Sequence, residues 1–387
     1  MNVENDEGVQ KLLDRAILVK DFMELWAEGS SLEELHVSVK AQLSRFDPYR
    51  TTTPFKFLVK SYGKSFSKDE QVEIINSFAY TDLQGPIRMK DPEVIFVVFI
   101  DTVSNRFYFG IYVGRSLRGR HLDAMDLKKR EYLGTTSMDA ELSLVMTNMG
   151  LVKEGSLVYD PFVGTGSFMY TAAYFGGYAM GSDIDGRQMR GKAATSTPHR
   201  GPKYQKCVNV PENENASMYS NIEQYGLGGR VIGGLVFDIA HNPWSERLTL
   251  SAIVTDPPYG VRAGAKKLGS RSPQESKIIP KEFRPITYPA TQPYALDEMN
   301  QDLLDFAAKT LVPGGRLVFW YPVEVEEEQL FDLDKITAHP VMKRVAASVH
   351  RCKGFHRWLI TMEKPLLWTE CLLNKISYGD SSNYTVL

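Results

Sequence analysis

Short apolar runs alternate with amphipathic stretches between residues 137 and 320 of this chain. The runs have the length of buried strands, and the amphipathic stretches repeat apolar residues at helical spacing. The strand-like runs are 157–159, 178–182, 235–237, 250–254 and 317–320, and the helix-like stretches are 139–149, 169–175 and 297–311. This alternation predicts an α/β fold with a doubly wound parallel sheet. Two further runs, 345–350 and 357–361, are expected to add an antiparallel edge.

The first 113 residues carry a different pattern, which predicts a separate small α/β module. Apolar residues recur at helical spacing between residues 10 and 40, and Ser31 has the position of a helix N-cap before residue 32. The other predicted elements are a strand at 55–59, a helix at 67–78 and strands at 94–100 and 106–113.

An acidic residue follows each of four strand-like runs. These residues are Asp160, Asp183, Asp238 and Asp256. Ligands of open α/β sheets bind outside the carboxyl ends of the strands, so we expect the four carboxylates around one crevice. A nucleoside-bearing cofactor and an amine-bearing base would share this crevice, as in an S-adenosylmethionine-dependent amino-methyltransferase.

The most specific chemistry lies in the turn Asp256-Pro257-Pro258-Tyr259. The exocyclic amine of a nucleobase is a poor nucleophile because its lone pair is delocalised into the ring. Asp256 and the carbonyl of Pro257 can accept the two N–H bonds of such an amine, while Tyr259 stacks on the ring. The two prolines fix φ, so little ordering is needed when a base arrives. An ordinary proline-rich turn is the alternative.

A glycine-containing turn, residues 160–166, joins the first strand of this sheet to a helix. Its glycines let the backbone approach a ligand, and the helix start offers unpaired N–H groups. We predict cofactor contacts from Asp160, Phe162, Gly164, Thr165 and Gly166.

Two further carboxylates have alternative interpretations. An acid about 20 residues past such a turn accepts the ribose hydroxyls of a nucleotide. We assign this role to Asp183, although Asp185 is an alternative that is also placed to cap the next helix. Asp238 is a candidate acceptor for an adenine amine, or else a turn residue.

Composition indicates a soluble globular protein of more than one domain, with 387 residues, 43% hydrophobic and 24% charged. No apolar run reaches the length of about 18 residues that a membrane span needs. The acidic, polar start lacks the pattern of a secretory signal. Cys207, Cys352 and Cys371 form no pair motif or zinc spacing. We therefore expect reduced thiols, no metal site and a cytoplasmic location.

The net charge of −2 does not indicate nucleic-acid binding, so any RNA contact must come from local basic patches. One basic run contains Arg115, Arg118, Arg120, Lys128, Lys129 and Arg130. It is either a set of phosphate contacts or a solvated linker. The basic loop 262–292 follows the Asp-Pro-Pro-Tyr turn and is an active-site lid, an RNA-contacting loop or a disordered surface loop. Residues 196–220 are expected to form a surface insertion.

Four stretches, in this order, resemble the eukaryotic tRNA guanosine-10 N2-methyltransferases, which carry a THUMP domain. They are residues 134–144 (beginning Gly-Thr-Thr-Ser), 159–168, 181–187 (Gly-Ser-Asp-Ile-Asp-Gly-Arg) and 256–260. The resemblance runs from about residue 5 to beyond residue 359. The Asp-Pro-Pro-Tyr turn is shared with DNA adenine methyltransferases, whereas the first and third stretches are more specific to the tRNA family.

The resemblance implies methyl transfer from S-adenosylmethionine to N2 of guanosine 10 in tRNA. It adds Thr136 and Ser137 as cofactor contacts. It also implies a heterodimer with a small zinc-binding activator protein, which covers an apolar surface of the catalytic domain. The implied divisions are a partial ferredoxin-like region (1–50), a THUMP-like RNA-binding module (51–114), a basic linker (115–134), a Rossmann-like methyltransferase domain (135–370) and a tail (371–387). The first region is expected to lack its initial strand–helix–strand portion.

Two other functions stay open on the residues alone. A DNA adenine-N6 methyltransferase uses the same turn and must flip its base. The small N-terminal module and the missing DNA-target domain argue against it. A non-catalytic RNA-binding subunit is the second alternative, and the intact residues Asp160, Gly164, Gly166 and Asp256 argue against that.

Overall fold

The computed structural model describes residues 6–134, 137–191, 216–245, 247–259, 265–269, 291–325, 331–352, 354–366 and 385–386. The chain divides into two compact units, one of residues 1–121 with 377–387 and one of residues 122–376. Most of the predicted insertion at 196–220 and of the predicted loop at 262–292 lies outside the described residues.

A five-stranded sheet forms the first unit. Its strands are β1 (Asp21–Gly29), β2 (Phe55–Tyr62), β3 (Val94–Asp101), β4 (Arg106–Arg115) and the short strand Thr385–Val386. The spatial order is Thr385–Val386, β1, β4, β3, β2, in which only β2 and β3 are parallel neighbours. The helices are α1 (Asp6–Arg15), α2 (Leu32–Lys40) and α3 (Lys68–Asn76), with 3₁₀ turns at Leu43–Tyr49 and Ala79–Thr81.

Side-chain caps confirm two of the predicted helix starts. Ser31 accepts a hydrogen bond of 3.2 Å from the N–H of Glu34 at the start of α2. Ser67 and Glu70 form a reciprocal capping box before α3. Each cap satisfies N–H groups that have no partner inside the helix.

Residues 21–29 correct the sequence analysis, because they form a strand and not part of a helix. The register between β1 and β4 shifts between Phe22 and Met23 and again between Leu25 and Ala27. These irregularities bury Phe22 and Met23, and then Trp26 and Ala27. Buried residues therefore recur about every four positions along β1, which resembles the periodicity of a helix. The pairing also places β1 in one sheet with β2, β3 and β4, so the predicted boundary at residue 50 divides a single sheet.

A seven-stranded sheet forms the second unit and confirms the predicted doubly wound fold. Its strands are β5 (Leu157–Asp160), β6 (Tyr178–Asp183), β7 (Val231–Val236), β8 (Leu250–Thr255), β11 (Leu311–Glu324), β12 (Lys343–Arg351) and β13 (Phe355–Glu363), and a separate hairpin pairs β9 (Lys266–Leu268) with β10 (Thr291–Pro293). The order is β12-β13-β11-β8-β5-β6-β7, with β13 antiparallel to both its neighbours and the other pairs parallel.

The remaining helices are α4 (Arg118–Ala124), α5 (Ala140–Met149), α6 (Ser167–Tyr174), α7 (Gly186–Met189), α8 (Met218–Gln224), α9 (Leu296–Thr310) and α10 (Leu333–Ile336), with a 3₁₀ turn at Ile239–His241. Residues 314–316 lie inside β11, whose register with β8 shifts between Leu311 and Arg316. Since β5, β6 and β8 are parallel neighbours, their carboxyl ends meet at one edge of the sheet.

No helix in the described ranges is long and apolar enough to cross a membrane. Within the same ranges, no three His, Cys, Asp or Glu side chains are grouped so that they could hold a metal ion.

Candidate active site

The turn between β5 and α6 depends on two glycines. Gly164 and Gly166 have φ values of +49° and +90°, in the left-handed region that glycine adopts without strain. A Cβ on Gly166 would lie 2.8 Å from the hydroxyl oxygen of Tyr170, so packing requires glycine there. A Cβ on Gly164 would meet no atom of the described residues within 4 Å. Gly164 therefore faces open space beside the sheet edge.

Asp160 ends β5 and is only 2% exposed. Its Oδ1 accepts hydrogen bonds from the hydroxyl of Thr255 at 2.6 Å and from the N–H of Phe162 at 3.0 Å. Burial raises the pKa of Asp160 to about 7, against the effect of these two bonds, and the charges of Asp183 and Asp256 raise it further. The three carboxylates thus interact electrostatically at one edge of the sheet.

Asp183 ends β6 and anchors the glycine turn. Its Oδ2 accepts from the N–H of Gly164 at 2.9 Å, and its Oδ1 accepts from the N–H of Asp185 at 2.8 Å. Burial raises the pKa of Asp183 to about 6, although both hydrogen bonds lower it. Asp185 instead caps α7 and forms an ion pair with Arg187 at 2.8 Å, and the hydrogen bond from Arg187 is the main reason that its pKa is lowered. The geometry is in keeping with the assignment of the ribose to Asp183, which remains a prediction.

The Asp256-Pro257-Pro258-Tyr259 turn follows β8 directly. The hydroxyl of Tyr259 donates to Oδ1 of Asp256 at 2.5 Å. Burial raises the pKa of Asp256 to about 6, while this hydrogen bond and the charge of Arg357 lower it. Asp256 therefore ionises near neutral pH at the same edge as Asp160 and the glycine turn.

Gly134 and Ser137 lie against the glycine turn. The hydroxyls of Ser137 and Thr165 are hydrogen-bonded at 2.9 Å, and Ser137 also accepts from the N–H of Gly134 at 3.1 Å. Thr136 lies outside the described residues. The cofactor contacts predicted for Ser137 and Thr165 are compatible with this placement and remain predictions.

Asp238 has a structural role in the described residues. Its Oδ1 accepts from the N–H of His241 at 2.7 Å, and its Oδ2 accepts from the N–H of Leu268. Asp238 thereby caps the 3₁₀ turn at Ile239–His241 and connects this turn to β9. These contacts favour the interpretation of Asp238 as a turn residue over an adenine contact.

The basic run divides into exposed and buried members. Arg115 is 76% exposed and lies 3.5 Å from Asp21, and Arg120, Lys128 and Lys129 are also exposed, while Arg118 is partly buried. Arg130 is completely buried. Its Nη1 donates to Ser167 Oγ at 2.9 Å and its Nε donates to Tyr225 at 3.0 Å. The prediction that Arg130 contacts RNA is therefore wrong, because its guanidinium is enclosed by the second unit.

Comparison with known proteins identifies the family. A family model described as the Tmrp11 THUMP N-terminal domain matches residues 1–118, and one described as the RMKL-like methyltransferase domain matches residues 128–271. The tRNA (guanine(10)-N(2))-methyltransferase of Schizosaccharomyces pombe is 36% identical, over 94% of this chain and 72% of that protein. The chain belongs to the tRNA (guanine(10)-N(2))-methyltransferase family.

A mouse member of this family, the tRNA (guanine(10)-N(2))-methyltransferase TRMT11 of Mus musculus, is 34% identical over 94% of this chain and 78% of its own length. Among solved structures, TrmN from Thermus thermophilus matches 88% of this chain and 82% of its own, with 17% identity and a TM-score of 0.39. A TM-score this low carries no argument about function.

Two residues contact the site of this family member although no motif in the sequence identifies them as site residues. Thr255 is the last residue of β8, just before Asp256, and its hydroxyl donates to Asp160 on the neighbouring strand β5. Arg357 lies 98 residues after Tyr259 and donates to its hydroxyl at 3.3 Å. The Thr255 contact follows from the pairing of β5 with β8, but the Arg357 contact requires the antiparallel strands of the fold.

Replacing the buried Arg130 by alanine is expected to destabilise the protein by about 2 kcal/mol. The change leaves the hydroxyls of Ser167 and Tyr225 without their donor and removes a guanidinium that lies 5.0 Å from the ring centre of Tyr170. Calorimetry of the full chain should show a melting transition lower by roughly 4–8 °C. The matched control is Lys129→Ala at an exposed neighbouring position, with an expected change within about 0.5 kcal/mol. Equal losses in both variants would contradict the buried role of Arg130.

Proposed function

We propose that this chain transfers a methyl group from S-adenosylmethionine to the exocyclic N2 of guanosine 10 in tRNA. The observation that carries the proposal is the Asp256–Tyr259 turn beside the glycine turn at one sheet edge, in a chain of this family. The curated relatives are named for this reaction.

Asp256 and Pro257 orient the amine of the base. Oδ1 of Asp256 receives the Tyr259 hydroxyl, so Oδ2 is available for one N–H of the amine, and the Pro257 carbonyl accepts the other. These bonds localise the nitrogen lone pair, and Tyr259 stacks on the ring. A carboxylate with a pKa of about 6 is also suited to take up the proton that the amine loses.

The residues around the glycine turn fit S-adenosylmethionine. Gly164 faces open space, and the described hydrogen bonds to Asp160 all reach Oδ1, which leaves Oδ2 for the amino group of a ligand. Asp183 is the acceptor for ribose hydroxyls. When bound, this cofactor supplies a methyl group on a positively charged sulfur, which needs no further activation. The protein then contributes mainly positioning.

An activator subunit has a suitable surface on β7, the last strand of the seven-stranded sheet. In the described part of the chain, β7 pairs only with β6. Ile232, Leu235 and Val236 are 63%, 45% and 54% exposed. An apolar edge strand favours association with another chain. We propose that the zinc-binding activator covers this edge and that the complex acts in the cytoplasm.

Methylation assays with defined substrates test the proposed function. The purified chain, with and without the activator, is incubated with S-adenosylmethionine and a tRNA transcript, and nucleosides are analysed by mass spectrometry. We expect N2-methylguanosine from the parent transcript and none when adenosine replaces guanosine 10. N6-methyladenine from DNA would instead support the alternative enzyme. Absence of methylated nucleosides in every reaction would support a non-catalytic subunit.

Three arginines of the basic run are proposed to bind tRNA phosphates, the exposed Arg115 and Arg120 and the partly buried Arg118. Replacing Arg115, Arg118 and Arg120 together by alanine should weaken tRNA binding and reduce the slope of log Kd against log salt, by about 0.7–0.9 for each phosphate that the variant no longer neutralises. Filter binding over a salt series measures the slope, and cofactor affinity should stay unchanged. If the triple variant binds tRNA like the parent at every salt concentration, the run is a solvated linker.

A further inference from the structure

Arg357 is held in one position by its neighbours in the sheet. It lies on β13, opposite Pro322 of β11 and His350 of β12. Its guanidinium carbon lies 4.3 Å from the ring centre of Trp320, and its Nε donates to Nδ1 of His350 at 3.2 Å. Burial and the charge of Arg357 lower the pKa of His350, which favours the neutral ring that accepts this bond. The guanidinium is thus fixed on a rigid strand pair.

The Nη1 group of this guanidinium contacts the sulfur of Met138 at 4.0 Å and also reaches the Asp-Pro-Pro-Tyr turn. Nη1 of Arg357 donates to the hydroxyl of Tyr259 at 3.3 Å. Because a guanidinium has no acceptor and a phenol has one hydrogen, the phenol must point that hydrogen elsewhere. It points to Oδ1 of Asp256 at 2.5 Å. The two hydrogen bonds therefore run in one direction, from Arg357 to Tyr259 and from Tyr259 to Asp256.

We propose that Arg357 is a positioning residue for the methyl transfer proposed above. Through Tyr259 it holds Oδ1 of Asp256, keeps this carboxylate ionised and leaves Oδ2 turned to the amine of the base. The inference rests on the proposed function, since it assigns Asp256 to the amine.

The charges around Asp256 explain why a cation is needed there. Burial raises the pKa of Asp256 to about 6, and the nearby Asp160 carboxylate is of like charge. Tyr259 lowers the pKa by its hydrogen bond. Among the described residues, Arg357 is the cation whose charge lowers it further. Without that charge the pKa of Asp256 rises toward neutrality, and a protonated Asp256 can no longer take up the proton of the amine.

The pH dependence of kcat separates this role from a merely structural one. We compare the parent with Arg357→Met at saturating tRNA and S-adenosylmethionine between pH 5 and 9. Because Asp256 must be ionised, a higher pKa moves the acidic limb of the profile to higher pH. We expect a shift of about one pH unit, so that kcat is about twofold lower at pH 7 and about tenfold lower at pH 5, with the KM values for tRNA and cofactor unchanged.

Three further variants test what causes the shift of the acidic limb. Arg357→Lys keeps the charge, and its acidic limb is expected within a few tenths of a pH unit of the parent. Arg344→Met removes the same charge from the other end of β12, where Arg344 pairs with Asp334 at 2.7 Å, and should not move the limb. Tyr259→Phe keeps the ring but breaks the chain of bonds, so it should shift the limb in the same direction as Arg357→Met.

Titration of the Asp256 carboxyl carbon by NMR provides a readout without catalysis, with Asp256→Asn assigning the signal. The carboxyl should titrate at higher pH in both Arg357→Met and Tyr259→Phe. An unchanged titration in Arg357→Met overturns the inference, even if the parent is active and Tyr259→Phe shifts the titration. If the parent methylates no guanosine 10, the proposed function fails, while the titration still decides whether Arg357 acts on Asp256. If Arg357→Met does not fold, Arg357→Gln, which also removes the charge, gives the same test.

Discussion

Replacing Asp256 by alanine is expected to lower kcat by about 10³-fold or more and to change cofactor Kd by less than about threefold. Asp256 is the residue proposed to face the amine, whereas Asp160 and Asp183 flank the glycine turn and keep their bonds to Phe162 and Gly164. Loss of about 4 kcal/mol of transition-state stabilisation corresponds to this decrease. Single-turnover methyl transfer measures the rate, and calorimetry measures cofactor binding.

Two controls test whether Asp256→Ala lowers the rate through the lost charge and not through a change in side-chain shape or in folding. Asp256→Asn retains an oxygen for the Tyr259 hydroxyl but presents N–H donors to the amine, so its rate should fall nearly as far. Burial raises the pKa of Asp256 to about 6, so the stability linked to this raised pKa is present at low pH and lost as pH rises through 6. Neither variant should therefore melt below the parent at pH 8. Parallel losses of rate and cofactor affinity would contradict the division of roles.

The second unit could be predicted from its sequence because its elements are locally determined. The parallel strands β5, β6 and β8 are short, mainly apolar runs that end at or just before Asp160, Asp183 and Asp256. Parallel strands bring their carboxyl ends to one edge without further information. The proximity of Asp160, Asp183, Asp256 and the glycine turn therefore followed from the order of the elements.

Features that depend on distant partners could not be predicted in this way. The two register shifts in β1 come from its pairing with β4, and they give its buried residues a helix-like spacing. The charge of Arg130 suggests a surface position, but Tyr170 and Tyr225 enclose it. The contact of Arg357 with Tyr259 depends on the antiparallel placement of β13 beside β11. In each case the local residues favour one environment and the tertiary partner determines another.

The second large effect is expected at Asp183. Replacing it by alanine should weaken cofactor binding by on the order of 100-fold and lower kcat at saturating cofactor by less than about fivefold. The variant loses a charged acceptor for the ribose, and a hydrogen bond to a charged group contributes roughly 1.5–3 kcal/mol. It also loses the carboxylate that holds the N–H groups of Gly164 and Asp185. Calorimetric titration with S-adenosylmethionine and the cofactor KM measure the effect.

Asp185→Ala is the matched control, since Asp185 is an acid two residues away that caps α7 and pairs with Arg187. Its loss should cost about 1 kcal/mol of stability, as for other N-caps, and should leave cofactor Kd within about threefold. The two variants are therefore expected to differ in cofactor binding. If Asp185→Ala weakens cofactor binding and Asp183→Ala does not, the ribose acceptor is Asp185, and Asp183 serves only to anchor the glycine turn.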